Sequence, residues 1–177
     1  MRSISILLPC LLFPSCSFFL GGTAINLHGG VRELSSDTAS ISNMEVYGLE
    51  GTVGLGGSLG VEGAAFFSEE KGDNVGGFEP ELDQAEVSLG VRYTFLENMP
   101  VRFYVGGGVN WIDAELDGLP TAPESDDSAG GYAHAGVLFN VFSFQAGVDV
   151  RGSITGTEVG GEQLDYLQGT IFLGIGF

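Results

Sequence analysis

Hydrophobic and polar positions alternate with a period of two along most of the chain after residue 24, and residues 82–95 show the pattern most clearly. One face of this segment is apolar and consists of Ala85, Val87, Leu89, Val91, Tyr93 and Phe95. The opposite face is polar or small and consists of Gln84, Glu86, Ser88, Gly90, Arg92 and Thr94. Because successive side chains of a β-strand point to opposite faces of a sheet, the alternation predicts two-faced strands.

Eight such segments occur along the chain, and no segment shows a convincing helical period of 3.6 residues. The predicted strands are 25–32, 46–55, 58–67, 82–95, 101–112, 132–141, 142–151 and 166–177. Their connections alternate between long polar segments (33–45, 68–81, 113–131 and 152–165) and tight turns (56–57, 96–100 and 141–142). Long loops at one end only are typical of bacterial outer-membrane barrels. We therefore predict the all-β class, as an eight-stranded antiparallel up-and-down transmembrane β-barrel over residues 25–177.

The N-terminal segment has the features of an export signal. Arg2 precedes an apolar run over residues 6–20, and small residues follow that run, so we expect residues 1–24 to be a signal peptide. Both cysteines, Cys10 and Cys16, lie within it, so the exported chain is expected to contain no disulfide. The residues before Cys16 loosely resemble a lipobox, and lipidation of Cys16 stays open as an alternative.

Composition and charge exclude several classes of protein. The 177 residues include 23 Asp and Glu against 6 Lys and Arg, a formal net charge of -17. Nucleic-acid binding is excluded because it depends on neutralising phosphates with basic side chains. The 30 glycines accompany a hydrophobic fraction of 44%, which is too high for a disordered acidic tail. The length predicts a single domain.

The polar faces of the predicted strands carry a balanced set of charges. The predicted lumen ion-pair network consists of Arg32, Glu50, Glu62, Glu86, Arg92, Arg102, Asp149 and Arg151. Two histidines, His28 and His134, fall on the same faces as polar lumen residues. Four positive and four negative groups would make the lumen neutral, which matters because an unpaired buried charge costs several kcal/mol.

The interior of an eight-stranded barrel is just wide enough to be filled by side chains. Counting from the turns places Glu50, Glu62, Arg92 and Arg102 at mid-height or toward the turns, and Arg32, Glu86, His134, Asp149 and Arg151 nearer the loops. These two ionic layers predict a plugged barrel, with an ion-paired gate for small ions as the alternative. Glycines on the same face, such as Gly48, Gly136 and Gly147, are expected to leave room for water.

Aromatic residues cluster toward the ends of the apolar faces. The predicted interfacial aromatics are Tyr47, Phe67 and Trp111 toward the loops, and Tyr93, Phe95, Phe103, Phe139, Phe144 and Phe177 toward the turns. Two such rows resemble the aromatic girdles of membrane barrels. A soluble, secreted lipocalin-like binder stays as an alternative, in which the apolar face would line the interior.

The last predicted strand alternates to the end of the chain. Ile171, Leu173, Ile175 and Phe177 resemble the C-terminal signature recognised by the outer-membrane assembly machinery. Together with the segments 90–95 and 100–108, the whole pattern resembles the OmpA-like or opacity-type outer-membrane barrels, often called the porin family. The resemblance implies a monomer in the outer membrane, in contact with membrane lipid and lipopolysaccharide and inserted by the barrel-assembly machinery. It also implies a structural or surface-interaction role, such as adhesion or envelope integrity, without a cofactor.

The resemblance also makes an enzyme an alternative, because small outer-membrane barrels include lipid A deacylases. His134 and Asp149 would lie across one hairpin from each other, which gives an oriented imidazole. The deacylases carry a serine two residues after the histidine, and Gly136 occupies that position here. We therefore predict no enzyme, no catalytic residue and no metal site.

The remaining acidic residues are concentrated in the predicted loops. Clusters at 69–70, 79–83, 113–117 and 124–127 predict a strongly negative rim with few cations. Such a rim attracts divalent cations or cationic partners by electrostatic steering. None of the clusters has the spacing of an EF-hand, which favours a solvated, repulsive surface over a cation-binding site.

Overall fold

The computed structural model of the chain describes residues 22–38, 41–72, 79–96, 98–118, 124–159 and 162–177. Most of the predicted signal peptide, including Cys16, lies outside these residues. The strands are β1 (Ala24–Thr38), β2 (Ile41–Gly56), β3 (Leu59–Lys71), β4 (Glu81–Phe95), β5 (Val101–Asp117), β6 (Glu124–Val141), β7 (Phe144–Thr155), β8 (Glu158–Val159), β9 (Glu162–Gln163) and β10 (Tyr166–Gly176).

Eight of these strands form a closed barrel in the order β1-β10-β7-β6-β5-β4-β3-β2. Every neighbouring pair is antiparallel, and β1 closes the barrel by pairing with β10 from Ala24↔Gly176 to Leu34↔Tyr166. Strands β8 and β9 form a separate two-stranded hairpin. Within the described part of the chain, no helix has the length and hydropathy needed to cross a membrane. The predicted eight-stranded antiparallel barrel is confirmed.

Tight turns close one end of the barrel, which we call the turn end. Between β2 and β3, Gly56 and Gly57 have φ angles of +101° and +60°, which glycine adopts without steric cost. Between β6 and β7, Val141 pairs with Phe144. The prediction that a strand begins at residue 142 is wrong, because Phe142 has a φ of +56° and so belongs to the turn.

The strands extend past their predicted limits at the opposite end, the loop end. In β5, Trp111 is the last apolar residue on the outer face, and Asp113 and Glu115 follow it on that face. The inner face of the same stretch is apolar, with Ile112 and Leu116 buried. Alternation therefore continues with inverted polarity, and the prediction of a loop starting at residue 113 is wrong.

Inverted polarity builds a hydrophobic core inside the loop end, which we call the apolar cap. The apolar cap consists of Leu34, Ile41, Met44, Leu82, Ile112, Ala114, Leu116, Leu164 and Tyr166. At this end the interior of the barrel is therefore largely apolar, apart from the hydrogen-bonded hydroxyls of Ser128, Thr155 and Thr157, and the exterior is polar. Below the cap the arrangement is reversed, with a polar lumen and an apolar exterior.

The apolar exterior carries aromatic side chains at both of its ends. Tyr47 pairs with Phe67 across β2 and β3, and their ring centroids are 6.3 Å apart. At the turn end Tyr93 and Phe95 contact edge to face at 4.9 Å. The predicted interfacial aromatics all lie on the outer face and are exposed: Tyr47, Phe67, Trp111, Tyr93, Phe95, Phe103, Phe139, Phe144 and Phe177. This placement matches the two girdles of a membrane barrel.

A charge placed in the middle of the apolar exterior is expected to destabilise the folded barrel. Leu89 lies midway between the aromatic rows and is 61% exposed. We expect Leu89→Arg to lower the free energy of unfolding by about 2–4 kcal/mol in a lipid bilayer, because the guanidinium would enter hydrocarbon. Urea titration in vesicles, followed by the fluorescence of the single tryptophan, Trp111, measures this change.

The matched control is Ser125→Arg, which adds the same charge to the outer face above the loop-end aromatic row. Its unfolding midpoint is expected to stay close to that of the wild type. Equal effects of the two substitutions would mean that the apolar exterior does not face lipid.

Candidate functional site

The polar lumen below the apolar cap contains two layers of buried ionic groups. The loop-side layer is centred on Glu86, whose two carboxylate oxygens bind different arginines. Arg32 Nη2 lies 2.8 Å from Glu86 Oε2, and Arg151 Nη2 lies 2.7 Å from Glu86 Oε1. The Tyr166 hydroxyl and Asn110 Nδ2 also donate to Glu86. One carboxylate therefore joins strands β1, β4, β5, β7 and β10.

Neighbouring side chains hold the two guanidinium groups of this layer in place. Arg32 donates to Gln168 Oε1 from Nε at 3.1 Å and from Nη2 at 2.7 Å, and to Gln84 Oε1 from Nη1 at 3.0 Å. Arg151 lies over the Tyr132 ring, 3.7 Å from its centroid. Alternation places all of these side chains on the inner face of their strands.

The middle layer is built around Arg92 on β4. Its Nη2 lies 2.6 Å from Glu50 Oε2, and its Nε lies 2.8 Å from Glu62 Oε2. The guanidinium lies over the Tyr104 ring at 4.2 Å. Asn26 Nδ2 donates to Glu50 Oε1 at 3.1 Å. Arg92 therefore bridges two carboxylates that would otherwise repel each other inside the barrel.

His134 connects two carboxylates of the middle layer. Its Nε2 lies 2.8 Å from Glu62 Oε1, and its Nδ1 lies 2.9 Å from Asp149 Oδ2. Tyr132 donates to Glu62 and Tyr104 donates to Asp149, each at 2.8 Å. The contact of Nδ1 with Asp149 has the geometry of a hydrogen bond, whereas Nε2 lies close to Glu62 without forming one. The imidazole ring therefore lies between two acids of the middle layer.

Two parts of the predicted lumen arrangement are corrected by the structure. Arg102 lies at the turn end, half-buried, where its Nε donates to the Met99 carbonyl at 3.2 Å. No ion pair joins it to an acid among the residues that the structure describes. Arg102 is only the second residue of β5, so it lies below both ionic layers. His134 and Asp149, predicted nearer the loops, belong to the middle layer, where His134 lies against both Asp149 and Glu62.

The predicted polar residue His28 lies in the lumen beside the middle layer. Its Nδ1 is 3.1 Å from Thr170 Oγ1, and its Nε2 is 3.9 Å from Glu50 Oε2. The ring stacks on Phe172 at 5.1 Å and contacts the edge of Phe66 at 5.5 Å. His28 is therefore held mainly by aromatic packing.

Aromatic side chains fill the space beside several inward-facing glycines, where water is expected from the sequence. A Cβ added to Gly48 would collide with the Phe66 ring, and one added to Gly136 would collide with Tyr104. A Cβ at Gly147 would collide with Phe172. The expectation of open water space beside these glycines is wrong, because each one makes room for a ring.

One group of lumen residues has a spacing compatible with a metal ion. Ligand atoms of Glu50, Glu62 and His134 lie within 4.8 Å of one another. The same carboxylates already accept hydrogen bonds from Arg92 and Tyr132. A cation would have to displace a guanidinium, so the donor set fits an ion-pair network better than a metal site.

On the outer face of the barrel at its loop end, acidic residues face one another across four neighbouring strands. Glu45 pairs with Glu69, Glu69 with Asp83, and Asp83 with Glu115, and all four side chains are exposed on the outer face. We call these four residues the acidic ladder. Partial burial raises the pKa of the Asp83 carboxyl above its ordinary value, and the neighbouring carboxylates raise it further. Like charges placed directly opposite each other destabilise a sheet.

A closed eight-stranded meander, a filled polar lumen and an apolar exterior with aromatic ends define the class of eight-stranded outer-membrane barrels. Solved structures with the same fold support this class. Ail, the attachment invasion locus protein of Yersinia pestis, is 14% identical over 88% of this chain and 97% of its own, with a TM-score of 0.60. The N-terminal β-barrel domain of Pseudomonas aeruginosa OprF is 13% identical over 87% and 97%, with a TM-score of 0.59.

Neisserial surface protein A is similar at 14% identity over 88% of this chain and 94% of its own, with a TM-score of 0.56. No protein-family model and no curated protein matches the sequence. At these identities the structural likeness shows the fold. The predicted resemblance to OmpA-like barrels is confirmed at that level, and the fold supports a location in an outer membrane.

Proposed function

We propose that the protein is a non-conducting outer-membrane barrel whose role is structural or interactive at the cell surface. The single observation that carries this proposal is the acidic ladder, which a closed and filled barrel holds just above the lipid-facing band. Export by the predicted signal peptide and insertion by the barrel-assembly machinery would bring the chain to this location. Ile171, Leu173, Ile175 and Phe177 lie exposed on the outer face of the last strand or just after it, as an assembly signal requires. The barrel is expected to act as a monomer.

The filling of the lumen supports a closed barrel over the alternative of a narrow pore. Buried ion pairs occupy the middle of the barrel, and the apolar cap lies above them. A hydrophobic constriction excludes water and therefore ions. The apolar exterior also disfavours a soluble lipocalin-like binder, whose apolar face would line the interior.

The surroundings of His134 support a role other than catalysis. Both ring nitrogens lie against carboxylates, so neither is placed to take a proton from a hydroxyl nucleophile. The residue two positions later, Gly136, carries no side chain that could serve as one.

The charge of the rim points to cationic partners. The acidic ladder attracts divalent cations, which lipopolysaccharide phosphates would share, or a cationic protein surface. Ail has been solved in complex with the heparin analogue sucrose octasulfate. The ladder of this chain repels such a polyanion, so we propose a partner of the opposite charge.

Calcium is expected to stabilise the folded barrel through the acidic ladder. We expect Ca²⁺ to raise the temperature at which the wild type unfolds by more than Na⁺ at matched ionic strength. The double variant Asp83→Asn, Glu115→Gln should lose most of this difference, because it removes two adjacent carboxylates of the ladder. Thermal unfolding of the protein in lipopolysaccharide-containing vesicles, followed by gel mobility, measures the effect.

The matched control for the double variant is Glu33→Gln, since Glu33 is exposed on the outer face of β1 but faces Asn43 and Leu167. Without calcium, the raised pKa of Asp83 means that the folded state holds its proton more tightly than the unfolded state. Stability should therefore increase as pH falls through that pKa, and Asp83→Asn should weaken this dependence. An unchanged calcium effect in the double variant would exclude the ladder as the cation-binding surface.

A further inference from the structure

The turn end of the barrel contains a cavity of about 270 Å³, which we call the turn-side cup. Its polar lining side chains are Thr52, Ser58, Arg92, Thr94, Arg102 and Gln145. The cup opens at the turn end, and the middle ionic layer, through Arg92, lines its inner part. In the orientation of an outer-membrane barrel, with its tight turns in the periplasm, the cup faces the periplasm.

Two guanidinium groups reach the cup, and they differ in their partners. Arg92 is bound on the lumen side by Glu50 and Glu62. Arg102 donates from Nε to the Met99 carbonyl, and no acid pairs with it within the described ranges of the chain. None of the described residues that line the cup is acidic. Among the residues that the structure describes, the walls of the cup therefore contribute positive charge and no acidic side chain.

Hydroxyl groups lie in the cup beside these arginines. Thr94 is on the inner face of β4, two residues from Arg92, and it pairs with Tyr104 on β5, two residues from Arg102. The Thr94 N–H donates to the Ser58 carbonyl at 2.8 Å, which holds the β2–β3 turn against β4. Guanidinium and hydroxyl donors together are the groups that bind phosphate oxygens in proteins.

The negative charge of the chain lies mainly at the other end of the barrel. The acidic ladder is above the lipid-facing band, which in membrane barrels is about 25 Å tall. Electrostatic interactions between exposed charges are largely screened beyond about 8 Å at physiological ionic strength. The acidic ladder therefore does not cancel the local field of the cup.

We propose that the turn-side cup is a binding site for a phosphate group, with the Arg102 guanidinium as its principal contact and the hydroxyls of Thr94 and Ser58 as further donors. The phosphate belongs either to a soluble periplasmic molecule or to the headgroup of an inner-leaflet phospholipid. The two sources share the same recognition chemistry, because both present anionic phosphate oxygens at the turn end of the barrel.

Titration calorimetry of the refolded barrel with inorganic phosphate tests the site. The barrel is held in nanodiscs of a phosphate-free glycolipid, so that no lipid headgroup competes. We expect saturable binding by the wild type and a loss of affinity of about tenfold or more in Arg102→Gln, because the guanidinium supplies a charge-assisted contact. Lys71→Gln is the matched control, since it removes one positive charge at the loop end.

The source of the phosphate follows from a second titration in nanodiscs that contain phosphatidylglycerol. Weaker binding of inorganic phosphate there would assign the cup to lipid headgroups, and unchanged binding would assign it to soluble phosphates. The proposal is overturned if the wild type shows no saturable binding in the glycolipid, if Arg102→Gln binds as the wild type does, or if Lys71→Gln loses the same affinity. These results do not depend on the role of the acidic ladder.

Discussion

Glu86→Ala is expected to destabilise the barrel by about 3–5 kcal/mol, because it leaves two buried guanidinium groups without a counter-charge. Glu86 binds Arg32 and Arg151 through different oxygens, and the Tyr166 hydroxyl donates to it as well. All four side chains are buried, so water cannot replace the lost carboxylate. Equilibrium unfolding in urea, with the protein in vesicles, measures the change.

A triple variant separates the cost of broken ion pairs from the loss of packing. Replacing Arg32, Glu86 and Arg151 together by Met, Leu and Met removes every charge of the loop-side layer while keeping its volume close to native. This variant is expected to be more stable than Glu86→Ala, since apolar replacements of a whole buried network are often neutral. Glu33→Gln, which removes an exposed carboxylate, is the control. If Glu86→Ala were as stable as Glu33→Gln, the loop-side layer of ion pairs would not stabilise the barrel.

Arg92→Ala is expected to have an effect of similar size in the middle layer. It leaves Glu50 and Glu62 facing each other in the lumen without the guanidinium that bridges them. We expect a loss of about 3–5 kcal/mol in the free energy of unfolding. Arg102→Ala is the control, because Arg102 is half-buried and binds a backbone carbonyl, so its loss should cost well under 1 kcal/mol.

Conductance of the same Arg92→Ala variant distinguishes a plug from a gate. We expect no rise in ion current across planar bilayers, because the apolar cap stays closed when the middle layer is opened. A stable Arg92→Ala barrel with raised conductance would instead support the narrow ion-paired pore.

Alternation in the sequence predicts which face of a strand is buried, but it does not predict the height of a side chain within the barrel. Glu86 and Arg92 were placed in the lumen because their neighbours Val87 and Val91 fall on the lipid face. Arg102 has the right parity, yet it is the second residue of β5 and emerges at the turn end. Asp149, one partner of His134, lies across a hairpin that the sequence predicts, whereas Glu62 reaches His134 from the far side of the lumen because of barrel closure and strand stagger.

Polar residues at the loop end do not mark loops, because the strands continue through them with their alternation intact. Asp113 and Glu115 alternate with Ile112 and Leu116 as regularly as the residues below Trp111 do. Above Trp111 the outer face is polar and the inner face is apolar, which reverses the arrangement below it. The reason is that the outer face contacts water at the loop end, while the inner face packs into the apolar cap. A test for alternation of either polarity would have extended β5 to its observed end.

The mobility of the protein in SDS gels shows whether the chain folds as a closed barrel in the outer membrane. Outer-membrane fractions are run unheated and after boiling. We expect the unheated protein to migrate faster and to shift to its full apparent mass on boiling, because the closed hydrogen-bonded barrel resists the detergent. Absence of a shift, together with recovery of the protein in the aqueous fraction, would show that the chain does not form a closed outer-membrane barrel.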